Sequence, residues 1–82
     1  MDYNFGKFIE ESKNSCKTKS DFISKIDKEK ALVSEIHDGL SYELRTKYSK
    51  SLDIAKFYAQ TGVITESDEY SDDLRMLVLG FR

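Results

Sequence analysis

Residues 41–62, SYELRTKYSKSLDIAKFYAQTG, contain the helical repeat around which the rest of the chain is organised. Apolar residues recur there every three or four positions, so they fall on one face of a helix. They are Leu44, Tyr48, Leu52, Ala55 and Tyr58, with Ile54 and Phe57 beside them. Ser41 is a good N-cap, and Gly62 tolerates the left-handed turn that ends many helices. The pattern predicts a central helix about 30 Å long, the width of a small domain.

Two helices are predicted before this central helix. Asp2 can cap the first, which covers about residues 3–13. Thr18 or Ser20 can cap the second, and Gly39 ends it. Its apolar face carries Phe22, Ile26, Val33 and Ile36, with Ile23 and Leu32 beside it. The remaining link to the central helix is so short that it implies an antiparallel or sharply angled neighbour.

One further helix is predicted after the central one. Ser71 is its predicted N-cap, and Asp72 and Asp73 lie in its first turn, where the helix dipole favours negative charge. Its apolar stripe is Leu74, Leu77, Val78 and Phe81. The chain has no proline and only 4 glycines, which also favours helices. The sequence therefore predicts an all-α fold, with four helices packed as a bundle in one small domain over residues 1–82.

Length and composition restrict the class of protein. A chain of 82 residues is one domain without room for a deep substrate cavity. No apolar run reaches the roughly 18 residues that a membrane span needs, and the N-terminus lacks the basic and apolar regions of a signal peptide. Its single cysteine cannot form an internal disulfide, which is typical of cytoplasmic proteins. We expect a cytoplasmic protein without a membrane partner.

The residues needed for most catalytic sites are missing. His37 is the only histidine and Cys16 the only cysteine, so neither a two-histidine metal site nor a thiolate cluster can form within one chain. Cys16 falls in SKNSCKTKS, a polar stretch predicted to be a loop, and no third residue is identifiable to orient a Cys16–His37 pair. His37 is better explained as a surface group at the end of the second helix. We expect no enzyme, no metal and no cofactor.

Charge is distributed unevenly along the chain. Residues 12–60 carry ten basic and seven acidic side chains, whereas from residue 61 onward five acidic side chains face two arginines. We call these five residues the acidic pole: Glu66, Asp68, Glu69, Asp72 and Asp73. Tyr58 and Tyr70 lie near them in the sequence and suit the role of interface anchors, since tyrosine is enriched at binding hot spots. The alternative is that the acidic pole serves only solubility and helix capping.

A second interpretation is DNA binding through a helix-turn-helix. A short helix over residues 41–48 would pass through Ser49 and Lys50 into a recognition helix that begins near Ser51. Its phosphate contacts would come from Arg45, Lys47, Lys50 and Lys56. The turn lacks the usual glycine and apolar residue, and the whole chain is acidic. One uninterrupted helix with a solvated basic face is the competing interpretation.

Four segments of the chain resemble the immunity proteins of colicin D and of contact-dependent growth inhibition. They are the opening FGKFIEE, the helix end LDIAKFYAQTG, the acidic ESDEYSDD and the closing LRMLVLGF. The resemblance implies a small acidic helical protein that binds and blocks a cognate toxin, often a tRNA-cleaving nuclease. It also implies that the partner-binding residues lie in the acidic C-terminal half. The first loop differs from this pattern because it is rich in lysine.

The favoured hypothesis is therefore an immunity-type inhibitor whose carboxylates occupy the place of substrate phosphates in a basic toxin domain. The partner-binding residues in this hypothesis are Tyr58, Glu66, Asp68, Glu69, Tyr70, Asp72 and Asp73. The alternatives are the helix-turn-helix regulator, for which nucleic acid would be the partner, and a phage-type inhibitor of another nucleic-acid enzyme.

Overall fold

The computed structural model describes residues 3–36 and 39–82. Within them the chain forms four α-helices and no strand. The helices are α1 (Phe5–Ser15), α2 (Lys19–Glu35), α3 (Tyr42–Thr61) and α4 (Glu69–Gly80). The predicted all-α fold of four helices is confirmed. No helix in this part of the chain is both long enough and apolar enough to cross a membrane.

Helix α3 is the centre of the fold, as predicted. Its N-cap is Ser41, whose hydroxyl accepts a hydrogen bond from Leu44 N, and its C-cap is Gly62 with a φ of +75°. Such a φ is left-handed and strained for any side chain, which explains why glycine ends the helix there. α3 packs against α2 on one side and α4 on the other, while α1 contacts α2 and α4.

The core lies where the four helices meet. Leu52 and Ala55 of α3 have no exposed surface, and Tyr48 is also buried. The side chains that pack around them are Phe5, Phe8, Phe22, Ile26, Val33, Leu74 and Val78. Two residues of the predicted apolar face of α3 are not buried. Leu44, near the start of the helix, is 40% exposed, and Phe57, predicted to lie beside the stripe, is 41% exposed.

The α1 region differs from the prediction at both ends. Its N-cap is Asn4, whose side-chain oxygen accepts a hydrogen bond from Lys7 N at 3.2 Å, so the helix begins at Phe5. The predicted cap, Asp2, lies outside the described residues. α1 continues to Ser15 and α2 begins at Lys19, so six of the nine residues of SKNSCKTKS are helical, and Cys16 packs into the core instead of lying in a solvated loop. The polar composition of this segment predicted a loop, but its one apolar residue, Cys16, is buried in the core.

Helix α2 begins as predicted but ends earlier. Thr18 is its N-cap and forms a capping box with Asp21, so the alternative cap Ser20 is not used. The helix ends at Glu35, with Ile36 as C-cap in extended conformation, rather than at Gly39. Arg45 Nη1 donates a hydrogen bond to the Ile36 carbonyl at 3.3 Å, which satisfies one oxygen that the helix leaves unpaired. His37, predicted to lie at this helix end, is outside the described residues.

Candidate partner-binding surface

The acidic pole lies at the start of α4 and in the segment that leads into it from α3. Glu66 precedes the helix, Asp68 is its N-cap, and Glu69, Asp72 and Asp73 occupy its first turns. The structure therefore brings all five carboxylates of the pole to one end of α4. Their surroundings divide them into carboxylates held by neighbouring side chains and carboxylates left to solvent.

Asp68 is the N-cap of α4, so the prediction that Ser71 caps this helix is wrong. The Asp68 carboxylate accepts a hydrogen bond from Ser71 N at 2.8 Å, and Asp68 N donates to Ser71 Oγ at 2.9 Å. Ser51 of α3 also donates to this carboxylate, at 3.0 Å. Both serines are fully buried. The local reason is that an aspartate three residues before a hydroxyl satisfies two backbone N–H groups, which a cap at Ser71 would leave unpaired.

Glu66 and Asp72 are each paired with a basic side chain. Glu66 Oε2 lies 2.8 Å from Lys50 Nζ, and this hydrogen bond raises the pKa of the lysine. Asp72 accepts a hydrogen bond from Ser67 Oγ at 2.7 Å and forms an ion pair with Arg75. The Ser67 bond, followed by that from Arg75, lowers the pKa of Asp72. Both carboxylates remain on the surface, with part of their charge neutralised.

Glu69 and Asp73 are the carboxylates of the pole left to solvent. Both are exposed, and neither forms an ion pair or hydrogen bond with a described residue. They are four residues apart on a helix, so they project from the same side of α4. Their negative charges are therefore the most available to a partner.

The two predicted tyrosine anchors pack largely against the core. Tyr70 is half-buried, and its ring meets those of Phe5 and Tyr48 edge-on, with centroids 5.2 Å apart in each case. Lys47 Nζ lies 5.1 Å from the centre of the Tyr70 ring, in a cation–π contact. Tyr58 is also half-buried against the core. Tyr58 lines a cleft with Val78 and Leu79 near the C-terminal end of α4, so it does not adjoin the acidic pole at the start of that helix.

Two exposed apolar side chains on α4 were missed by the sequence analysis. Met76 and Leu79 are 69% and 68% exposed, although each lies within a turn of buried Leu74 or Val78. A signal was present, since both fall outside the predicted apolar stripe of this helix. Apolar residues on the polar side of an amphipathic helix indicate a contact surface when they adjoin one another.

The helix-turn-helix alternative needs a turn at Ser49 and Lys50, and the structure has the uninterrupted helix of the competing interpretation. α3 runs without interruption from Tyr42 to Thr61, through Ser49 and Lys50. Its basic side chains are also engaged within the chain. Lys50 pairs with Glu66, Lys56 Nζ lies 2.7 Å from Asp27, and Lys47 stacks on a ring. These cations are therefore directed to different neighbours and do not line one surface.

The surroundings of Cys16 and of the potential metal ligands can be described for the same residues. Cys16 is 8% exposed and packs in the core, so its thiol is poorly placed to act as a nucleophile. Among residues 3–36 and 39–82, no three side chains of histidine, cysteine, aspartate or glutamate are grouped closely enough to hold a metal ion. The acidic pole and the adjoining face of α4 remain the features with potential for binding.

Comparisons with known proteins add no assignment. No protein-family model matches the chain, and neither a curated protein nor a solved structure matches it. The resemblance to immunity proteins therefore rests on the sequence segments quoted above, and the function must be argued from the surface of α4.

Proposed function

We propose that the chain is an immunity-type protein that binds and neutralises a cognate bacterial toxin in the cytoplasm, and that the toxin is a nuclease. The observation that carries this proposal is the pair of solvent-exposed carboxylates, Glu69 and Asp73, next to the exposed side chain of Met76. Charges without a partner beside an apolar surface suit an interface in which the partner supplies the cations.

The physical argument starts from the toxin. A nuclease holds phosphates in a basic groove, and an inhibitor that places carboxylates there occupies the phosphate positions. Complementary charge also speeds association, which matters for a protein that must act before a toxin cleaves its substrate. Glu69 and Asp73 can take such phosphate positions at little cost in free energy, because neither has to break an ion pair with a described residue first.

The other predicted residues take different parts in this surface. Glu66 and Asp72 contribute weaker charge, since Lys50 and Arg75 partly neutralise them. Asp68 holds the end of α4 in place through Ser51 and Ser71. Tyr70 packs against the core beneath the acidic pole, whereas Tyr58 lies beside Val78 and Leu79 near the other end of α4. The proposed interface therefore centres on the exposed side of α4 and includes no cofactor.

The test uses the toxin domain encoded beside this chain, purified in a form with an inactivated catalytic residue. We expect Glu69→Gln combined with Asp73→Asn to weaken binding to that domain at least tenfold in calorimetry. The matched control is Glu10→Gln combined with Glu43→Gln, which removes two exposed carboxylates that form no ion pair with a described residue. Binding should change less than threefold in the control.

Protection of growth gives the functional readout. Cells that express the active toxin should survive with the wild-type chain and with the control variant, and lose viability with the Glu69 and Asp73 variant. Equal binding by both double variants would contradict the proposed surface. A neighbouring toxin domain that the wild-type chain neither binds nor neutralises would overturn the proposed function itself.

A further inference from the structure

The outer side of α4 presents a single exposed stripe. Glu69, Asp73, Met76 and Gly80 succeed one another at intervals of four, three and four residues, and all are exposed. Leu79 lies beside them with 68% of its surface exposed. Side chains at such intervals share one side of a helix. The stripe therefore begins with two carboxylates and ends with an apolar patch.

A cleft of about 730 Å³ adjoins this stripe along the C-terminal half of α4, between that helix and the end of α1 with the segment that follows it. Met76, Leu77 and Phe81 give it apolar lining, while Lys13, Lys17 and Arg82 provide three positive charges. No acidic residue is among those that line it in the described part of the chain. None of the three cations forms a side-chain ion pair with a described residue.

The position of Arg82 in this cleft is fixed by its backbone. Arg82 N donates a hydrogen bond to the Lys17 carbonyl at 3.2 Å, and Lys19 N donates to the Arg82 carbonyl at 3.0 Å. These two bonds tie the residue to the start of α2. The positive end of the surface is therefore held in a defined place relative to α4.

Charge and apolarity thus follow one order along a single side of the molecule, from acidic through apolar to basic. Such a surface is complementary to a copy of itself turned by 180°. A two-fold axis through Met76 sets the acidic end of each copy against the basic end of the other. Asp73, three residues before Met76, then lies opposite Leu79, three residues after it. Glu69 lies opposite the region of Arg82.

We propose that the chain forms a two-fold symmetric homodimer through the outer side of α4. Met76 and Leu79 of both copies form its apolar centre with Asp73 at its margin, and Glu69 faces Lys13, Lys17 and Arg82 of the other copy. The same patch serves both copies, as in any isologous interface. Gly80 faces open space, since a Cβ built there would meet no atom within 4 Å. Because it has no side chain, a second helix can approach closely at this position.

The size of the contact sets the strength of the dimer. α4 has 12 residues, which corresponds to a helix of about 18 Å. One helix of this length offers less than the roughly 800 Å² per partner of a standard interface. We therefore expect a reversible dimer with a dissociation constant on the order of 10–100 µM.

The dimer does not depend on the proposed function, but it uses the same side of α4. A toxin that binds Glu69 and Asp73 must displace the second copy, so the two associations compete. At low concentration the chain is then a monomer with its acidic surface available. At high concentration that surface is covered.

Sedimentation velocity between 5 and 500 µM tests the proposal directly. We expect the wild-type chain to shift from monomer to dimer over this range, and the shift to weaken when NaCl rises from 50 to 500 mM. Glu69→Lys and Arg82→Glu should each raise the dissociation constant at least tenfold. The double variant, which restores opposite charges and the wild-type net charge, should return to within threefold of the wild type. Glu10→Lys is the control and should leave the dimer unchanged.

Each outcome has a defined meaning. A wild-type chain that stays monomeric at 500 µM in low salt overturns the dimer, as does a dimer that the single charge reversals leave intact. Circular dichroism shows whether a charge reversal disturbs folding. If it does, the wild-type chain tests the proposal through salt instead: a dimer that is unchanged at 500 mM NaCl contradicts it. A monomer in which Met76→Gln weakens toxin binding assigns this side of α4 to the toxin alone.

Discussion

Ser51 of α3 donates a hydrogen bond to the carboxylate of Asp68, with 3.0 Å between Ser51 Oγ and Asp68 Oδ1. The same carboxylate accepts from Ser71 N at the start of α4. One side chain therefore caps α4 and joins it to the central helix. Ser51 Oγ also lies 3.0 Å from the Lys47 carbonyl, and Ser71 Oγ contacts the backbone of Asp68, so the carboxylate adds a link between helices to hydroxyls that have other partners. The orientation of the proposed binding surface depends on this connection.

Replacing Asp68 should therefore cost more than an ordinary cap substitution. We expect Asp68→Ala to lower the free energy of unfolding by about 1–3 kcal/mol, because Ser71 N loses its capping carboxylate and the hydrogen bond from Ser51 to α4 is lost. Asp68→Asn retains a capping oxygen and should cost less than half as much. Urea denaturation followed by circular dichroism measures both. Equal losses for the two variants would mean that charge, rather than hydrogen bonding, stabilises this end of α4.

Leu52 provides a test of the core. Its side chain is fully buried on α3 between α2 and α4, so Leu52→Ala should lower the free energy of unfolding by about 2–5 kcal/mol. Leu44 is the matched control, since it lies on the same helix but is 40% exposed. Leu44→Ala should cost less than about 1 kcal/mol. Denaturation midpoints that are similar for the two variants would contradict the packing of α3.

The bounds and the buried face of α3 could be predicted from the sequence, because they depend on the caps and on the spacing of apolar residues within the helix itself. Ser41 and Gly62 are each the best candidate for their position, and the spacing around Leu52 admits one buried face. At the start of α4, by contrast, both Asp68 and Ser71 can cap a helix. The choice depends on Ser51, which is 17 residues away in the sequence. A local pattern carries no information about that contact, so the boundary was misplaced.

For the candidate surface, the sequence predicted the position of the acidic pole but not the neighbours of its side chains. Local charge density located the acidic pole, and the structure gathers it at one end of α4. Which carboxylates remain available depends on distant neighbours, since Lys50 is 16 residues from Glu66 in the sequence, and nothing in a linear pattern pairs them. Tyr70 stays a predicted anchor, and the contact of its ring with Phe5, from the other end of the chain, is one that residue type does not reveal. Tertiary contacts therefore decide the role of each residue.

Acid should destabilise the fold partly through Asp72. Hydrogen bonds from Ser67 and Arg75 lower its pKa in the folded chain below the usual 3.8. A carboxyl with a lowered pKa stabilises the fold above its unfolded pKa, and this contribution disappears as pH falls through the folded value. The free energy of unfolding should therefore drop below about pH 4, and the drop should be smaller in Asp72→Asn. Urea titrations at pH 7 and pH 3 measure this drop for the wild type and for Asp72→Asn. Equal drops in the two proteins would mean that Asp72 is unpaired in the folded chain.

Alkaline pH should act through Tyr3. This half-buried hydroxyl donates a hydrogen bond to Glu29 of α2, and burial followed by that bond raises the pKa of the phenol well above 10. A tyrosine with a raised pKa stabilises the fold below its unfolded pKa, and the contribution is lost as pH rises through the folded value. Stability should fall above about pH 10, less steeply in Tyr3→Phe. Spectrophotometric titration at 295 nm should find one fewer late-titrating phenol in that variant.

Binding to duplex DNA should be negligible, and this result would separate the inhibitor from the helix-turn-helix regulator. A DNA-binding surface needs several cations on one side, because each phosphate contact releases counterions. In α3 these cations are divided among Glu66, Asp27 and the Tyr70 ring, so no side of the helix offers an unpaired basic stripe. We expect no binding to a 20-base-pair duplex tighter than about 1 mM at 150 mM NaCl, measured by fluorescence anisotropy. Tight binding that falls steeply with salt and is lost in Lys47→Glu or Lys56→Glu would favour the regulator. Lys56→Glu is the cleaner variant, because Lys47 also contacts the Tyr70 ring at the start of α4, whereas Lys56 pairs with Asp27 of α2.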